Sequence, residues 1–129
     1  MDIQAQRNIL KQLKGSPAEF KKTKKGSIWV GDSLLKMRKM RDASIDLCVT
    51  SPPYPLVTKK KYGNVKEQKY VEWFIQFASE IHRLLKPSGS LIIDLGTCWE
   101  PGKPVRSTYD MRLALKLIDD LNFYFAQEF

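Results

Sequence analysis

The residues Ser51-Pro52-Pro53-Tyr54 follow an apolar run and combine a hydroxyl, a rigid backbone and an aromatic ring. Proline has no N–H for a strand ladder, so the two prolines end the strand in a fixed shape. The Ser51 hydroxyl and the Pro52 carbonyl could accept the two N–H bonds of an exocyclic amino group and free its lone pair. Tyr54 could stack on a base, which must first be flipped out of a duplex. The motif is therefore compatible with chemistry on a nucleobase amino group, and also with a plain turn that ends the strand.

Hydrophobic periodicity places this motif within an alternating series of strands and helices. Apolar residues at steps of three and four predict helices, and short apolar runs bounded by turn residues predict strands. The predicted helices cover residues 3–13, 33–40, 69–86 and 108–121; the predicted strands cover "SIWVGD", 44–50, 90–96 and 123–129; residues 14–27 are predicted to be a basic loop.

This alternation predicts an α/β fold with a mostly parallel sheet and flanking helices. The continuous apolar run of residues 90–96 is typical of a sheet covered on both faces. Ligands of such sheets bind at the carboxyl ends of the strands. Gly31-Asp32, Ser51–Tyr54 and Gly96-Thr97 all lie at predicted carboxyl ends. We therefore expect one site at this edge of the sheet.

The composition favours a polyanionic partner and a cytoplasmic protein. The 129 residues contain 22 Lys and Arg against 14 Asp and Glu, a net charge of +8, which favours nucleic acid. No apolar run is long enough to span a membrane, and the amino terminus has no signal-peptide pattern. Cys48 and Cys98, with a single histidine, form no zinc pattern and are interpreted as buried thiols.

The segment "TSPPY" resembles the (D/N/S)-P-P-(Y/F/W) motif of S-adenosylmethionine-dependent DNA amino-methyltransferases. A serine in its first position goes mostly with methylation of cytosine N4. The segments "VGDSLLKM", "YGN" at 62–64, "HRLLKPSGSLIIDLG" at 82–96 and "FYFAQEF" resemble further family segments in the order of the permuted class with the catalytic motif first. The resemblance runs over roughly residues 28–129 and implies a Rossmann-like methyltransferase fold with S-adenosyl-L-methionine as the methyl donor.

The resemblance also implies roles for individual residues. Ser51 and the Pro52 carbonyl would accept hydrogen bonds from the amino group, Pro53 would hold the loop rigid, and Tyr54 would stack on the flipped base. No general base is assigned. The residues expected at the cofactor are Asp32, Ser51 and Pro52, and those expected at double-stranded DNA are Lys59, Lys60, Lys61 and Tyr62; no metal site is expected.

One part of the family pattern is not found. Such enzymes carry a glycine-rich F-x-G-x-G turn for the methionine end of the cofactor, and no two glycines here have G-x-G spacing. The expectation is an amino-terminal fragment or a split half: a basic extension over 1–27, then the catalytic-motif half over 28–129, without the target-recognition region. Such a chain would be inactive alone and would need a complementing chain that carries the glycine-rich loop.

Several other interpretations stay open. The target could be adenine N6, or an amino group of RNA or protein, or the chain could be a non-catalytic DNA-binding remnant. Ser51–Tyr54 could be a plain turn, and "PPYP" could be a P-x-x-P ligand (Pro52, Pro55) for SH3-like partners. Asp32 could cap the helix that follows it, alongside a cofactor role. The lysine runs could be solvated surface, whereas Trp99 and Tyr62 are candidates for contact with substrate.

Overall fold

A computed structural model describes residues 16–55, 67–100 and 102–128. These residues form two compact units that divide between Arg41 and Asp42. The first unit contains strands β1 (Ala18–Thr23) and β2 (Gly26–Val30) and helix α1 (Ser33–Met37); the second contains β3 (Ile45–Thr50), α2 (Glu67–Leu84), β4 (Leu85–Ile93) and α3 (Tyr109–Leu121). None of the helices in the described part of the chain is both long and apolar enough to cross a membrane.

Strands β1 and β2 form an antiparallel hairpin with Ala18 opposite Val30 and Thr23 opposite Gly26. In its turn, Thr23 Oγ1 donates to the Gly26 carbonyl at 3.0 Å and accepts from Lys25 N at 3.2 Å. The prediction of a loop over 14–27 is therefore wrong for β1. All six β1 side chains are exposed, so main-chain pairing with β2 forms this strand without an apolar pattern that the sequence would reveal.

The "SIWVGD" strand is confirmed as β2, but its partner is β1 in a separate two-stranded sheet. Gly31 directly follows β2; it has φ of 144°, and a Cβ added to it would lie 2.6 Å from Pro17 Cα. Helix α1 is shorter than the predicted 33–40. Beyond it, Lys39 N donates to the Lys36 carbonyl and Met40 N to the Met37 carbonyl, so the chain continues as tight turns.

Strands β3 and β4 form a parallel pair, with α2 as the crossover between them. Leu47 lies opposite Ser90 and Thr50 opposite Ile93, and the register shifts near Asp46. The chain adopts the extended conformation at Leu85, earlier than the predicted start at residue 90, because Pro87 disfavours a helical conformation at the residue before it. Beyond β4, Asp94 N donates to the Thr50 carbonyl at 2.9 Å, which continues the pairing.

The core of the second unit lies between α2 and α3. Its buried side chains recur at helical spacing and include Tyr70, Phe74, Ala78, Leu113 and Leu117. The face of the sheet that carries Leu47 and Val49 is exposed, at 52% and 65% of these side chains. The sequence predicted a sheet covered on both faces, but none of the described residues covers this face.

The segment after α3 does not form the predicted strand over 123–129. Helix α3 ends at Asn122, a left-handed residue with φ of 57°, and Asn122 N and Phe123 N donate to the Ile118 and Leu117 carbonyls. Phe123–Glu128 then continues as irregular chain, with Tyr124 97% exposed. An apolar pattern alone does not make a strand. Within the described ranges, no strand pairs with residues 123–128.

Candidate active site

The carboxyl ends of β3 and β4 bring two polar residues together. Ser51 directly follows β3 and Asp94 directly follows β4, and the bond from Asp94 N to the Thr50 carbonyl holds the two strand ends side by side. This is the edge at which parallel sheets bind ligands. The predicted placement of Ser51 at such an edge is confirmed.

Three side chains lie within hydrogen-bonding distance of one another at this edge. Ser51 Oγ and the Tyr54 hydroxyl lie 2.9 Å apart. Ser51 Oγ donates to Asp94 Oδ2 at 3.4 Å, and the Tyr54 hydroxyl donates to the same oxygen at 3.3 Å. All three contacts are exposed, so a bound molecule can reach them. We call these three residues the hydroxyl–carboxylate group.

Asp94 was not predicted as a site residue. Its signal was present in the sequence, because "SLIIDLG" places one acid at the end of a continuous apolar run. A charged residue in such a run is costly to bury unless it is paired. Its place at a strand carboxyl end, on the strand beside the Ser-Pro-Pro-Tyr motif, would have identified it.

The two prolines of the motif have different surroundings. Pro52 is buried and Pro53 is exposed, and Pro55 beyond them is fully buried. Ser51, Pro52, Pro53 and Tyr54 line an open pocket of about 250 Å³. The motif residues are therefore brought together around one concave surface, as the sequence predicted.

The segment after β4 packs against the residues that line this pocket. A Cβ on Gly96 would lie 2.8, 3.0 and 3.1 Å from ring atoms of Tyr54, so the backbone touches the ring. The Tyr109 hydroxyl donates to the Gly96 carbonyl. The Cys98 thiol donates to the Pro55 carbonyl at 2.7 Å. Residues 94–98 therefore contact the loop of residues 51–55 at Ser51, at the Tyr54 ring and at Pro55.

Burial keeps the tyrosines beneath the pocket protonated. Desolvation, aided by Asp110, raises the pKa of Tyr109 to about 12. Desolvation also raises the pKa of Tyr70, together with the neighbouring Tyr109 and Tyr54. The Tyr70 hydroxyl is buried and has no hydrogen-bond partner within the described ranges. These phenols act as neutral groups.

Cys48 is not a reactive nucleophile by the same argument. It lies within β3 and is only half-buried, not fully buried as predicted. This partial burial still raises its pKa, so its thiol stays protonated near neutral pH. Cys98 is buried, as the sequence predicted. In the part of the chain that the structure describes, no three His, Cys, Asp or Glu side chains come together as metal ligands.

Asp32 belongs to the first unit, where its capping role is confirmed. Its Oδ1 accepts from Leu34 N at 2.8 Å and from Leu35 N at 3.2 Å, which caps α1. Its side chain is exposed. The predicted DNA contacts Lys59, Lys60, Lys61 and Tyr62 lie outside the described residues.

Comparison with known proteins identifies the family. A family model described as DNA methylase matches residues 45–127, a range that contains the whole hydroxyl–carboxylate group. The chain belongs to this family. The expected resemblance to S-adenosylmethionine-dependent amino-methyltransferases is thereby confirmed, and the methyl donor of DNA methylases of this type is S-adenosyl-L-methionine.

Individual relatives agree with this DNA methylase assignment. The chain is 42% identical over 107 residues to the type II methyltransferase M.PvuII of Proteus hauseri, which covers 83% of this chain and 32% of that protein. It is 35% identical over 66 residues to the DNA adenine methyltransferase YhdJ of Escherichia coli strain K12, which covers 49% of this chain and 22% of that one.

A solved structure supports the fold of the DNA methylase chain. The PvuII DNA methyltransferase (cytosine-N4-specific) matches with a TM-score of 0.66 and 41% identity over 77% of this chain. The Rossmann-like methyltransferase fold is therefore confirmed. The match covers 35% of that structure, so the chain spans about a third of the length of its PvuII relatives.

Proposed function

We propose that this chain carries the catalytic-motif half of a DNA methyltransferase that methylates cytosine N4 in double-stranded DNA. One observation carries the proposal: a serine hydroxyl and a carboxylate meet 3.4 Å apart at an open pocket, at the carboxyl ends of two parallel strands. The family and the N4-cytosine name of one structural relative support the same reaction. Residues 28–129 would form this half and residues 1–27 a basic extension.

The target amino group would be prepared by two hydrogen-bond acceptors. Its nitrogen lone pair is conjugated into the base and is a weak nucleophile. Ser51 Oγ would accept one N–H and the Pro52 carbonyl the other, which draws the nitrogen towards tetrahedral geometry. Pro53 would keep these acceptors in place because its φ is fixed. Positioning of this kind supplies much of the rate when the donor is already reactive.

Asp94 would orient the hydroxyl group of Ser51. If the Ser51 hydroxyl donates its proton to Asp94 Oδ2, 3.4 Å away, the serine lone pairs would be free to accept from the amino group. A carboxylate acceptor strengthens such a hydrogen bond and makes the serine oxygen a better acceptor. Once the nitrogen is methylated it becomes acidic, and its proton can leave through Ser51 towards Asp94 or directly to water.

Asp32, Ser51 and Pro52 are the proposed cofactor-binding residues. When bound, S-adenosyl-L-methionine supplies a methyl group on a sulfonium, which is electrophilic without further activation. Asp32 fits a role at the adenine side, because its carboxylate is exposed and only Oδ1 takes part in the hydrogen bonds described for it. Ser51 and Pro52 would border the methyl-transfer position.

Double-stranded DNA is the proposed partner. The net charge of +8 favours a polyanion. Lys59, Lys60 and Lys61 are proposed to contact phosphates, and Tyr62 is proposed to contact the nucleotide, since all four follow the catalytic loop in the sequence. Tyr54 is proposed to stack on the flipped base through the face of its ring.

Adenine N6 is the second candidate target. It is favoured by one observation, the 35% identity to a DNA adenine methyltransferase over 66 residues. The first residue of the motif is serine here, and by resemblance serine favours cytosine.

The proposed reaction also needs a glycine-rich turn for the methionine end of the cofactor. No G-x-G occurs in this chain, so we infer that a further segment or a complementing chain supplies it and that these 129 residues alone transfer no methyl group.

The test is nucleoside analysis. The longest natural reading frame that contains these residues is expressed in a host without DNA methylation, and the digested DNA is analysed by mass spectrometry. N4-methylcytosine is expected. N6-methyladenine would replace the base assignment and keep the mechanism. No modified base from a folded protein would favour a non-catalytic DNA-binding remnant. The Ser51→Ala variant, expressed alongside, should give no modified base.

A further inference from the structure

We propose that Gly96, Cys98 and Tyr109 are positioning residues that set the catalytic loop through direct contacts with it. This inference rests on the proposed function. The segment 94–98 contacts the loop 51–55 at three points: Asp94 at Ser51, Gly96 at Tyr54 and Cys98 at Pro55. One segment of chain thereby contacts both ends of the loop and its tyrosine.

Gly96 sets the position of the Tyr54 ring. The ring atoms Cδ2, Cε2 and Cγ would lie 2.8, 3.0 and 3.1 Å from a Cβ at position 96. Real Cβ contacts are almost never this short, so a side chain here must displace the ring. Displacement of the ring moves the Tyr54 hydroxyl, which lies 2.9 Å from Ser51 Oγ. The absence of a side chain at Gly96 therefore permits the hydroxyl–carboxylate group to form.

Tyr109 fixes Gly96 in turn. Its hydroxyl donates to the Gly96 carbonyl, and its ring is only 1% exposed. The ring packs edge-on against Tyr70 with centroids 5.0 Å apart. Ser107 Oγ accepts from Tyr109 N at 3.2 Å, at the start of α3. The core between α2 and α3 is thus connected to the pocket through one carbonyl.

Cys98 fixes the end of the loop. Its thiol donates to the Pro55 carbonyl at 2.7 Å in a buried contact, and its own carbonyl accepts from Ser107 N at 2.8 Å. Pro55 is itself fully buried. The thiol therefore acts as a hydrogen-bond donor that anchors the loop, a role that serine can also fill.

These contacts matter because the two proposed acceptors of the amino group belong to one loop. The Ser51 hydroxyl and the Pro52 carbonyl must both meet N–H bonds of a single nitrogen. A misplacement of about 1 Å costs on the order of 100-fold in rate. Loss of a positioning contact should therefore lower kcat.

The first experiment is a double-mutant cycle in the full reading frame. Gly96→Ala should lower kcat about 10- to 100-fold in the wild-type background, as expected for a displaced catalytic group. In a Tyr54→Ala background the added methyl group has room, and Gly96→Ala should change kcat by less than about twofold. Gly26→Ala is the control, because a Cβ there meets nothing within 4 Å. Equal losses in both backgrounds would overturn the proposal.

The second experiment uses conservative variants. Cys98→Ala and Tyr109→Phe each remove one donor and should lower kcat several-fold. Cys98→Ser keeps a donor and should restore most of the activity. A serine variant as impaired as the alanine variant would contradict the role of the thiol.

A readout independent of activity separates this proposal from the proposed function. Amide hydrogen exchange at Ser51 and Tyr54 should become faster in Gly96→Ala and should not change further when the same substitution is made in the Tyr54→Ala protein. If the wild-type protein methylates no base, the proposed function fails, and the exchange data still decide whether Gly96 positions the loop. Unchanged exchange in Gly96→Ala would overturn the positioning role.

Discussion

Ser51 Oγ lies 3.4 Å from Asp94 Oδ2, although 43 positions separate the two residues in the sequence. The same carboxylate oxygen also accepts from the Tyr54 hydroxyl at 3.3 Å. One oxygen thus orients two hydroxyl groups at the edge of the pocket. This relationship depends on the parallel pairing of β3 and β4, which ends both strands at the same level.

The Asp94→Asn substitution should lower kcat about 10- to 100-fold, because hydrogen bonds to a charged group contribute about 1.5–3 kcal/mol. The amide keeps the shape of the side chain but removes the charge that orients Ser51. DNA affinity should stay within about twofold of wild type, since binding depends mainly on phosphate contacts. Single-turnover kinetics and DNA titration measure the two quantities.

The control for this substitution is Asp46→Asn. Asp46 lies on β3 and its Oδ1 contacts Lys86 Nζ at 2.7 Å on the exposed surface. Its removal should leave kcat unchanged, because an exposed ion pair contributes about 1 kcal/mol or less to stability. Equal losses in the two variants would assign the effect of Asp94 to surface charge instead of to Ser51.

Two substitutions at Tyr54 should separate its hydroxyl from its ring. Tyr54→Phe removes the hydrogen bonds to Ser51 and Asp94 and should lower kcat about 5- to 10-fold, with little change in KM for DNA. Tyr54→Ala also removes the proposed stacking surface, which contributes about 1–3 kcal/mol per base, and should raise KM for DNA further. Steady-state kinetics at fixed cofactor concentration distinguish them. A Phe variant with full activity would leave the ring as the only functional part of Tyr54.

Two substitutions at Asp32 should separate helix capping from cofactor binding. Asn can accept the same bonds from Leu34 N and Leu35 N, so Asp32→Asn should keep stability. If the carboxylate binds the cofactor, this variant should still bind S-adenosyl-L-methionine more weakly. Asp32→Ala should also lose about 0.5–2 kcal/mol of unfolding free energy. Urea unfolding and calorimetric titration measure the two effects. Unchanged cofactor affinity in both variants would leave Asp32 with the capping role alone.

Much of the second unit was predictable because its helices bury one side. Tyr70, Phe74 and Leu113 recur at helical spacing, and this periodicity predicted α2 and α3. Strand β1 was missed because its six side chains are exposed and its stability comes from main-chain pairing. The segment from Phe123 was mistaken for a strand because composition cannot reveal whether a neighbouring strand is available to pair.

The candidate site was only half predictable for a related reason. Residues that lie close together in the sequence, such as Ser51 and Tyr54, can be recognised as a motif from the sequence alone. Asp94, Gly96 and Cys98 reach the same loop through the β3–β4 pairing and are visible only once the register is known. The contact between Gly96 and the Tyr54 ring in particular depends on distances that no spacing rule contains.

Tyr109 should make the folded protein sensitive to alkaline pH. Burial, together with Asp110, raises its pKa from 10.0 to about 12, so the folded state holds the proton more tightly than the unfolded chain. The stability from this group is complete below pH 10 and is lost as the pH rises from 10 to about 12. The pKa of Tyr70 is raised as well.

Tyr109→Phe should therefore reduce, but not abolish, the decline in unfolding free energy across this window. Urea unfolding at a series of pH values measures it, with Tyr124→Phe as the control, since Tyr124 is 97% exposed. A Tyr109→Phe protein with the full wild-type decline would mean that another group, and not the residue holding Gly96, governs alkaline unfolding.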